Sequence, residues 1–339
     1  MWPALWRWIM ALVKGDRLFP VRAADGRIAG LKCTGAKEKG DRFIPVNKAD
    51  GRIAAVKVVA VEEKGQRGIP VRFADGLVGL AQFDEAEYGP MRAWGANGNG
   101  RLGDGTTTNR STPVTVSDIS TAVACAAGGA HSLAVLADGT MRAWGWNVVG
   151  QCGDGTTTTP RTTPVTVSGI STAIACATGQ VHSLAVLSDG TMRAWGRNSE
   201  GQCGDGTTTT PQTTPVTVSG ISTAIACAAG DFHSLALLSD RTMRAWGWND
   251  YGQLGDGTTT QRTTPVTVSG ISTAVACAAG TDHSLAVLSD GTMKAWGRNT
   301  SGRLGDGTTT DRHSPVSVSD ISTAIACAAG GAHSLAIVT

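Results

Sequence analysis

Residues 141–155 read Met-Arg-Ala-Trp-Gly-Trp-Asn-Val-Val-Gly-Gln-Cys-Gly-Asp-Gly, and versions of this stretch occur five times along the chain. Its Ala-Trp-Gly tryptophans are spaced by 50, 51, 51 and 50 residues, and the histidines of a following His-Ser-Leu-Ala segment are spaced by 51, 51, 50 and 50. A fixed period in this range, running from Met91 to the C terminus, predicts a solenoid, a propeller or another repeat array. The tryptophans are Trp94, Trp144, Trp195, Trp246 and Trp296, and the histidines are His131, His182, His233, His283 and His333.

Length and composition describe a globular protein without a strong charge. The chain has 339 residues, enough for two domains, of which 41% are apolar, and its formal net charge is +2. Residues 1–89 carry 15 Lys or Arg against 11 Asp or Glu, a net +4, and residues 90–339 carry 14 against 16, a net −2. This contrast is too weak for a phosphate-binding face, so no nucleic-acid partner is expected.

The eight cysteines follow the repeat rather than a disulfide framework. Cys152 and Cys203 stand where other copies have leucine, and Cys33 is isolated. A residue that alternates with leucine is a small apolar filler, so we interpret the cysteines as free and mostly buried thiols. The other five share one column, inside an apolar Ala-Cys-Ala run, at Cys125, Cys176, Cys227, Cys277 and Cys327.

Residues 1–14 form a strongly apolar arm that contains Trp2, Trp6 and Trp8. The arm is shorter than the roughly 20 residues that a membrane-spanning helix needs, so no membrane span is predicted. It also lacks the cationic start and the small-residue cleavage pattern of a signal peptide, which is the weaker alternative. We expect these tryptophans to serve in assembly, by docking on a partner, on a second copy of the chain or on the following domain.

Residues 15–89 contain a shorter repeat of 25 residues, marked by the turn aspartates Asp25, Asp50 and Asp75. Each unit has two short apolar runs on either side of an Asp-Gly pair, which is typical of a tight β-hairpin. A proline near the start of each unit suits an edge strand or the beginning of a strand. The segment predicts a small domain of three β-hairpins, used for anchoring or assembly, with a linker at residues 84–90.

The long repeat, residues 90–339, predicts β structure throughout. A typical copy carries a Met-Arg-Ala-Trp run, a glycine-rich loop, a Pro-Val-Thr-Val run, a run of small residues and the His-Ser-Leu-Ala run. An Asp-Gly hairpin signal follows at Asp138, Asp189 and Asp290, whereas Asp240-Arg241 departs from it. Four strands per copy of this length correspond to one propeller blade, with the small residues on the crowded strand near the axis.

These residues resemble the repeat of the regulator-of-chromosome-condensation β-propellers. The motif Trp-Gly-x-Asn-x-x-Gly-Gln-Leu-Gly-Asp-Gly-Thr is best kept at residues 246–258, and Ala-Ala-Gly-x-x-His-Ser-Leu-Ala at residues 278–286. The resemblance covers about three quarters of the chain and implies an all-β propeller that acts by binding through one face. Members of that family include guanine-nucleotide exchange factors, chromatin binders and a secreted bacterial inhibitor of β-lactamases.

The resemblance implies seven blades in a typical ring, whereas this chain has five copies of the repeat. The last copy ends with residues 333–338 and no following Met-Arg-Ala-Trp strand, and the first copy begins with an unpartnered strand at residues 91–94. Pairing these two strands would leave no open sheet edge. We therefore predict a propeller of five four-stranded blades that closes at this seam.

No catalytic, cofactor or metal site is predicted. Adjacent residues on a strand point to opposite faces, so His131 and Ser132 cannot form a dyad with each other. Because the pair recurs in every copy, we expect a structural role in which the histidine bonds to the backbone of a neighbouring blade. The Gly-x-Gly-x-x-Gly match at residues 98–103 lacks the helix of a phosphate site, and the Asp-Gly-Thr turns lack the ligand spacing of a calcium loop.

The nearly identical copies differ in three loop columns: the residue after Trp-Gly, the pair after the following Asn, and the pair before His. Aromatic and arginine residues in these columns have the composition of binding hot spots, and drift of unconstrained loops is the alternative explanation. The predicted partner-binding residues are Trp146, Val148, Val149, Arg197, Glu200, Phe232, Trp248, Asp250, Tyr251, Asp282 and Arg298.

Together these features predict a non-enzymatic structural or display protein of a cell surface, an extracellular filament or a phage virion. Its N-terminal region would anchor or assemble it, and its propeller face would bind a protein or a surface glycan. The alternative is a soluble binding module that acts as an inhibitor or as an exchange-factor-like regulator. An extracellular or virion location is favoured over the cytoplasm.

Overall fold

The structure is a computed structural model that describes residues 90–339 and, before them, the backbone of six strands between residues 17 and 83. The chain divides into two units, Met1–Glu87 and Tyr88–Thr339. Every regular element in the described residues is a β-strand, so no helix among them is able to cross a membrane.

In the first unit the described strands pair as antiparallel neighbours. They are β1 (Arg17–Arg22), β2 (Ile28–Cys33), β3 (Arg42–Asn47), β4 (Ile53–Val59), β5 (Ile69–Arg72) and β6 (Val78–Phe83). β1 and β2 form a hairpin, and a second sheet has the order β3-β4-β6-β5. The apolar arm with Trp2, Trp6 and Trp8 lies outside the described residues, so its assembly role stays a prediction.

The second unit contains twenty strands, each antiparallel to its sheet neighbours. They are β7 (Arg92–Gly95), β8 (Arg110–Thr115), β9 (Ala122–Ala127), β10 (His131–Leu136), β11 (Met141–Gly145), β12 (Arg161–Thr166), β13 (Ala173–Thr178), β14 (His182–Leu187), β15 (Met192–Gly196), β16 (Gln212–Thr217), β17 (Ala224–Ala229), β18 (His233–Leu238), β19 (Met243–Gly247), β20 (Arg262–Thr267), β21 (Ala274–Ala279), β22 (His283–Leu288), β23 (Met293–Gly297), β24 (Arg312–Ser317), β25 (Ala324–Ala329) and β26 (Ser334–Val338).

These strands form four complete blades and two half-blades. Blade I contains β9 to β12, blade II β13 to β16, blade III β17 to β20 and blade IV β21 to β24, in sequence order across each sheet. The N-terminal half-blade is the pair β7 and β8, and the C-terminal half-blade is the pair β25 and β26. The all-β propeller architecture is therefore confirmed.

Each blade joins the end of one sequence repeat to the start of the next. In blade I the connection between the two repeats is the hairpin turn at Asp138, where Gly139 has a φ of 79° and Thr140 donates its backbone N–H to Asp138 Oδ1 at 2.9 Å. This turn brings β10 and β11 together although they belong to different copies. At the departing turn, Arg241 adopts a φ of 67°, a strained value for a residue with a side chain.

The strand of small residues lies innermost in every blade, as predicted. These strands neighbour one another around a central cleft of about 310 Å³, which their C-terminal ends line. Alanine and cysteine allow the backbones to approach closely near the axis, where the blades are most crowded. The segments that line the cleft are residues 127–129, 178–180, 229–231, 279–281 and 329–331.

The hydrophobic core forms between blades. Trp246 of blade III is fully buried and belongs to the same cluster as Leu184 and Met192 of blade II. The equivalent tryptophans of the other complete blades, Trp144, Trp195 and Trp296, are also fully buried. Because large aromatic side chains dominate core energetics, each blade is held chiefly by its neighbour.

A column of glycines fixes how closely the blades approach the axis. A Cβ atom at Gly179 would collide with the carbonyl oxygen of Gly230 and would lie 2.5 Å from Cε1 of His182. Gly230 and Gly280 meet equivalent obstacles in the following copies. Since the obstructing atoms are backbone and a buried ring, only glycine is tolerated here.

We predict that Gly179→Ala lowers the free energy of unfolding by roughly 2 kcal/mol or more, because the added methyl overpacks the axis. Gly98→Ala is the matched control, since a Cβ at Gly98 meets nothing within 4 Å, and its effect is expected to stay under about 0.5 kcal/mol. Denaturant unfolding of both variants measures the difference, and equal midpoints would contradict the packing described here.

The predicted closure of the ring is wrong. The two half-blades are separate two-stranded sheets, and β7 does not pair with β26. Trp94 of β7 is 63% exposed, and Leu335 of β26 is 62% exposed, although their counterparts in complete blades are buried. The physical reason is that packing between blades sets the rotation from one blade to the next, and at this rotation the repeats of this chain leave their two ends apart.

Candidate functional site

The three variable columns meet at one end of the blades, called here the loop face. The residue after Trp-Gly donates its backbone N–H to the carbonyl of the residue before His in the same blade. This bond is 2.9 Å from Arg197 to Val181 and 3.0 Å from Trp248 to Phe232. The expectation that these columns gather on one face therefore holds for the complete blades.

Buried polar residues hold each loop of this face in a fixed shape. In blade III the side chain of Asn249 is fully buried, and its Oδ1 accepts the backbone N–H of Leu254 at 2.9 Å. Its Nδ2 donates to the carbonyl of Thr258 at 3.1 Å. Equivalent bonds occur at Asn97, Asn147, Asn198 and Asn299. The sequence analysis missed this asparagine column, although its presence in all five copies was the available signal.

The Asp-Gly-Thr turn closes the same loop, as the sequence analysis expected of a turn aspartate. Asp256 Oδ1 accepts the backbone N–H of Thr258 at 3.0 Å, and Asp256 Oδ2 accepts from Arg262 Nη2 at 2.7 Å. Burial by itself would raise the pKa of Asp256, but the hydrogen bonds from Thr258 and Arg262 outweigh it and lower the pKa. The carboxylate is therefore committed to the loop and is not a free ligand.

Three aromatic side chains of blade III pack edge to face on this surface. The Trp248 ring lies 6.1 Å from the Phe232 ring at an interplanar angle of 87°, and 5.4 Å from the Tyr251 ring at 79°. Both distances lie in the range of favourable aromatic pairs. All three side chains are only half-buried, so part of each ring faces solvent.

An arginine from each neighbouring blade extends this group. The guanidinium of Arg197, in blade II, lies 5.2 Å from the centre of the Phe232 ring, and that of Arg298, in blade IV, lies 4.8 Å from the centre of the Tyr251 ring. Both distances are within the range of a cation–π interaction. The aromatic–arginine cluster, defined as Arg197, Phe232, Trp248, Tyr251 and Arg298, thus bridges three blades.

The role predicted for Asp282 needs correction. This residue is only 5% exposed, and its Oδ2 accepts a hydrogen bond from Arg298 Nη1 at 3.1 Å. A buried carboxylate paired in this way positions the arginine over Tyr251 and does not itself face a partner. Glu200 has a related place beside Arg197, with 4.0 Å between Arg197 Nη2 and Glu200 Oε1.

The remaining predicted residues lie outside the cluster or at its edge. Trp146, Val148 and Val149 belong to the loop of blade I, and Val148 is 46% exposed. Trp146 makes no aromatic pair with any residue that the structure describes. Asp250 is exposed between Trp248 and Tyr251.

The histidines bond to serine side chains rather than to backbone, which corrects the sequence-based expectation. His131 Nε2 of blade I lies 2.9 Å from Ser183 Oγ of blade II, and Ser183 Oγ donates to the carbonyl of Gln151 at 2.9 Å. The serine proton is used by that carbonyl, so His131 must carry its proton on Nε2. The same arrangement joins His182 to Ser234, His233 to Ser284 and His283 to Ser334.

This His–Ser pair is a structural link between blades. His131 and Ser183 are both fully buried, and the histidine is a donor to the serine, which is the opposite of a general base. Burial lowers the pKa of His131 and His233 to about 3 and that of His182 and His283 to about 4. The folded chain therefore holds these four imidazoles neutral at ordinary pH.

The thiols only partly match their prediction. Every cysteine that the structure describes with its side chain is unpaired, and Cys152 and Cys203 are buried as expected. Burial raises the pKa of Cys152 to about 12. The column that begins at Cys125 is exposed or half-buried, because no further strand lies inside the innermost strands. In residues 90–339 no group of three or more His, Cys, Asp or Glu could hold a metal ion.

The fold and the loop face define a repeat β-propeller with a display surface. A family model described as the RCC1-like domain matches residues 86–336, which is most of the chain. The chain therefore belongs to the RCC1-like family, as its repeat motif indicated.

Individual relatives share the repeat but not the whole length. The ultraviolet-B receptor UVR8 of Arabidopsis thaliana is 32% identical over 174 residues, which are 49% of this chain and 39% of the receptor. The human E3 ubiquitin-protein ligase HERC2 is 31% identical over 179 residues, which are 50% of this chain and 4% of the ligase. This chain therefore spans less than half the length of these relatives.

Two solved structures share the architecture. Human WBSCR16 superposes with a TM-score of 0.67 at 23% identity, over 77% of this chain and 69% of that chain. Prp20p of Saccharomyces cerevisiae, a protein with binding properties to Gsp1p and histones, superposes with a TM-score of 0.64 at 24% identity, over 76% of this chain and 66% of that chain. At these identities the likeness concerns the fold alone.

We predict that acid destabilises the propeller between about pH 6.5 and about pH 4. The four buried histidines have pKa values of about 3 to 4 when folded, below the roughly 6.5 of an unfolded histidine. The unfolded chain therefore binds more protons in this window, and stability that is complete above it is lost on acidification. Each histidine contributes up to about 1.4 kcal/mol per pH unit.

Denaturant unfolding measured across this pH window checks the prediction. In His182→Gln the side-chain amide can still donate to Ser234, but the group no longer titrates, so one of the four protons is removed from the pH dependence. The expected result is a shallower slope for the variant. An unfolding free energy that does not change across the window would contradict the buried neutral histidines.

Proposed function

We propose that this chain is a non-catalytic protein-binding module of the RCC1-like family and that the aromatic–arginine cluster is the centre of its binding surface. One observation carries the proposal: the copies share their buried residues, and where they differ, three aromatic and two arginine side chains converge across three blades. Drift in unconstrained loops gives no reason for such convergence.

The cluster has the composition and the rigidity of an interaction hot spot. Trp, Tyr and Arg are the residues most enriched among those that dominate binding energies. Their loops are fixed by the buried asparagine and by the Asp–Arg pair, so little conformational entropy is lost when a partner binds. Ring faces that remain half-exposed provide apolar contact area, and the guanidinium edges provide hydrogen-bond donors.

The cluster fits a protein partner that presents an apolar side chain beside a carboxylate or backbone carbonyl. The apolar group would pack on the rings of Trp248 and Tyr251, and the oxygen would accept from Arg197 or Arg298. Relatives support a protein over a surface glycan, since the partners named for Prp20p, Gsp1p and histones, are proteins. An inhibitor or an exchange-factor-like regulator would both act through such a face.

The display role at a cell surface, filament or virion stays a prediction. It depends on the N-terminal region, whose arm lies outside the described residues. The binding proposal is independent of it, because every residue of the cluster belongs to the second unit.

The test is affinity capture by the full chain from an extract of the organism that encodes it, with bound proteins quantified by mass spectrometry. We predict that Trp248→Ala combined with Tyr251→Ala weakens capture of the true partner by at least about 2 kcal/mol, or roughly thirtyfold in Kd. Both side chains are half-exposed, so the variant is expected to remain folded.

The matched control is Trp146→Ala combined with Val148→Ala, which removes an aromatic and an aliphatic side chain from the same face but outside the cluster. A partner of the cluster is captured by the wild type and by this control and is lost from the cluster variant. If every captured protein binds all three chains equally, the cluster is not the binding centre.

A further inference from the structure

The two half-blades are the complementary halves of one blade. A complete blade consists of an inner pair, such as β9 and β10, followed by an outer pair, such as β11 and β12. The C-terminal half-blade has only the inner pair and the N-terminal half-blade only the outer pair. Among the described strands, β26 and β7 are therefore the edges that lack the neighbour present in every complete blade.

The C-terminal half-blade leaves a cleft where a tryptophan belongs. In complete blades the indole packs against a glycine of the preceding loop: Trp246 on Gly204 and Trp296 on Gly255. The next glycine in this series, Gly305, has only Val318 beside it. In place of an indole, a cleft of about 290 Å³ lies there, lined by Leu304, Gly305 and Val318 together with Ser334 and Leu335 of β26.

A hydrogen-bond acceptor in this cleft also lacks its second donor. In complete blades one loop carbonyl accepts both a serine hydroxyl and a tryptophan indole; the carbonyl of Gln151 accepts from Ser183 at 2.9 Å and from Trp195 Nε1 at 2.8 Å. The carbonyl of Arg303 accepts from Ser334 at 2.7 Å, and no described indole reaches it.

The N-terminal half-blade carries the missing group and a second cleft. Trp94 of β7 is the one Ala-Trp-Gly tryptophan that is exposed. Beside it, a cleft of about 420 Å³ is lined by Trp94, Leu102, Ala126 and Ser132. Ser132 Oγ donates to the carbonyl of Arg101 at 2.9 Å, but no described histidine reaches it, whereas Ser183 has His131. His333, the histidine that would follow in the series, is exposed at the other end of the propeller.

The two ends of one chain are apart, and repeated packing keeps them so. No residue of the N-terminal half-blade lines the cleft at β26, and no residue of the C-terminal half-blade lines the cleft at β7. The His–Ser distance is 2.8 to 2.9 Å at all four links, so every blade follows the last with the same geometry. Bringing the ends together would require all of these packed interfaces to rotate, and packed cores do not deform continuously.

The curvature of the repeat agrees with separated ends. Seventy-seven per cent of this chain superposes on 69% of WBSCR16 with a TM-score of 0.67, so the five copies follow an arc that matches part of a larger propeller. A second copy of the chain can meet each end without any change in that arc.

We propose that the C-terminal half-blade of one copy is completed by the N-terminal half-blade of a second copy. β7 of the second copy pairs antiparallel with β26, and its Trp94 lies opposite Ser334 as Trp144 lies opposite Ser132 in blade I. The indole fills the cleft beside Gly305 and donates to the carbonyl of Arg303. His333 of the first copy then reaches Ser132 of the second, which restores the link found between complete blades.

The interface is heterologous, so each joined pair still has one free end of each kind. Such head-to-tail contacts give rings where the rotation closes and open chains where it does not. The second copy is favoured over an unrelated partner because the Met-Arg-Ala-Trp-Gly sequence that complete blades use at this place is the one that β7 presents.

The test is the native mass of the full-length chain and of two variants that each block one end. Trp94→Ala removes the indole, and Leu335→Asp places a charge on the receiving edge; both side chains are more than 60% exposed in the single copy, so folding is preserved. The intact chain is expected to form multiples of the single-chain mass, and each variant alone is expected to lose them. Val148→Asp, at an exposed apolar position on the loop face, is the control and should assemble as the intact chain does.

Mixing the two variants gives the decisive result. The Trp94→Ala chain retains a working receiving edge, and the Leu335→Asp chain retains a working Trp94, so an equal mixture should yield a species of twice the chain mass and nothing larger. A mixture that stays at the single-chain mass overturns the proposal. So does an intact chain that remains single at all concentrations, which would indicate closure within one chain, or association that neither variant affects, which would place the interface elsewhere.

Discussion

The structure depends on one contact that is repeated between successive blades. A carbonyl in the loop of one blade accepts an indole N–H and a serine hydroxyl from the next blade, and that serine accepts the N–H of a buried histidine from the first blade. All of these groups are buried, where an unsatisfied polar group is costly, so the three donors fix the relative position of the blades closely. The tryptophan adds most of the apolar burial at the same place.

This arrangement separates the residues that must be constant from those that are free to vary. The histidine, serine, tryptophan and asparagine columns and the glycines at the axis are all committed to packing between or within blades. The loop positions beside them carry none of that load, and diversity is concentrated there. The aromatic–arginine cluster is the one place in the described residues where diversified positions of three successive blades contact one another. It is also why the proposed function rests on a surface and not on a catalytic group.

The repeat period, the four strands per copy, the inner strand of small residues and the hairpin turns were all predictable from the sequence, because each depends on local pattern. The partner of His131 was not, since Ser183 is 52 positions away and the contact depends on how two blades pack. The same applies to the ring closure, which depends on the rotation between blades, a quantity that no spacing in the sequence encodes. For the loop face, sequence identified the residues, but only coordinates separated Trp248 and Tyr251 from Trp146 and showed that Asp282 is buried beneath Arg298.

If the contact between blades is as constant as it is here, every Met-Arg-Ala-Trp strand of this repeat places its tryptophan on the loop carbonyl of the blade before it. The most direct measurement is an electron cryomicroscopy map of the full chain at a resolution that shows indole rings. We expect Trp94 to lie against Gly305 of a neighbouring copy, with its Nε1 on the carbonyl of Arg303, in the position that Trp296 holds on Gln253. A map in which Trp94 occupies that cleft of its own chain, within a closed ring of five blades, would contradict the fixed rotation between blades.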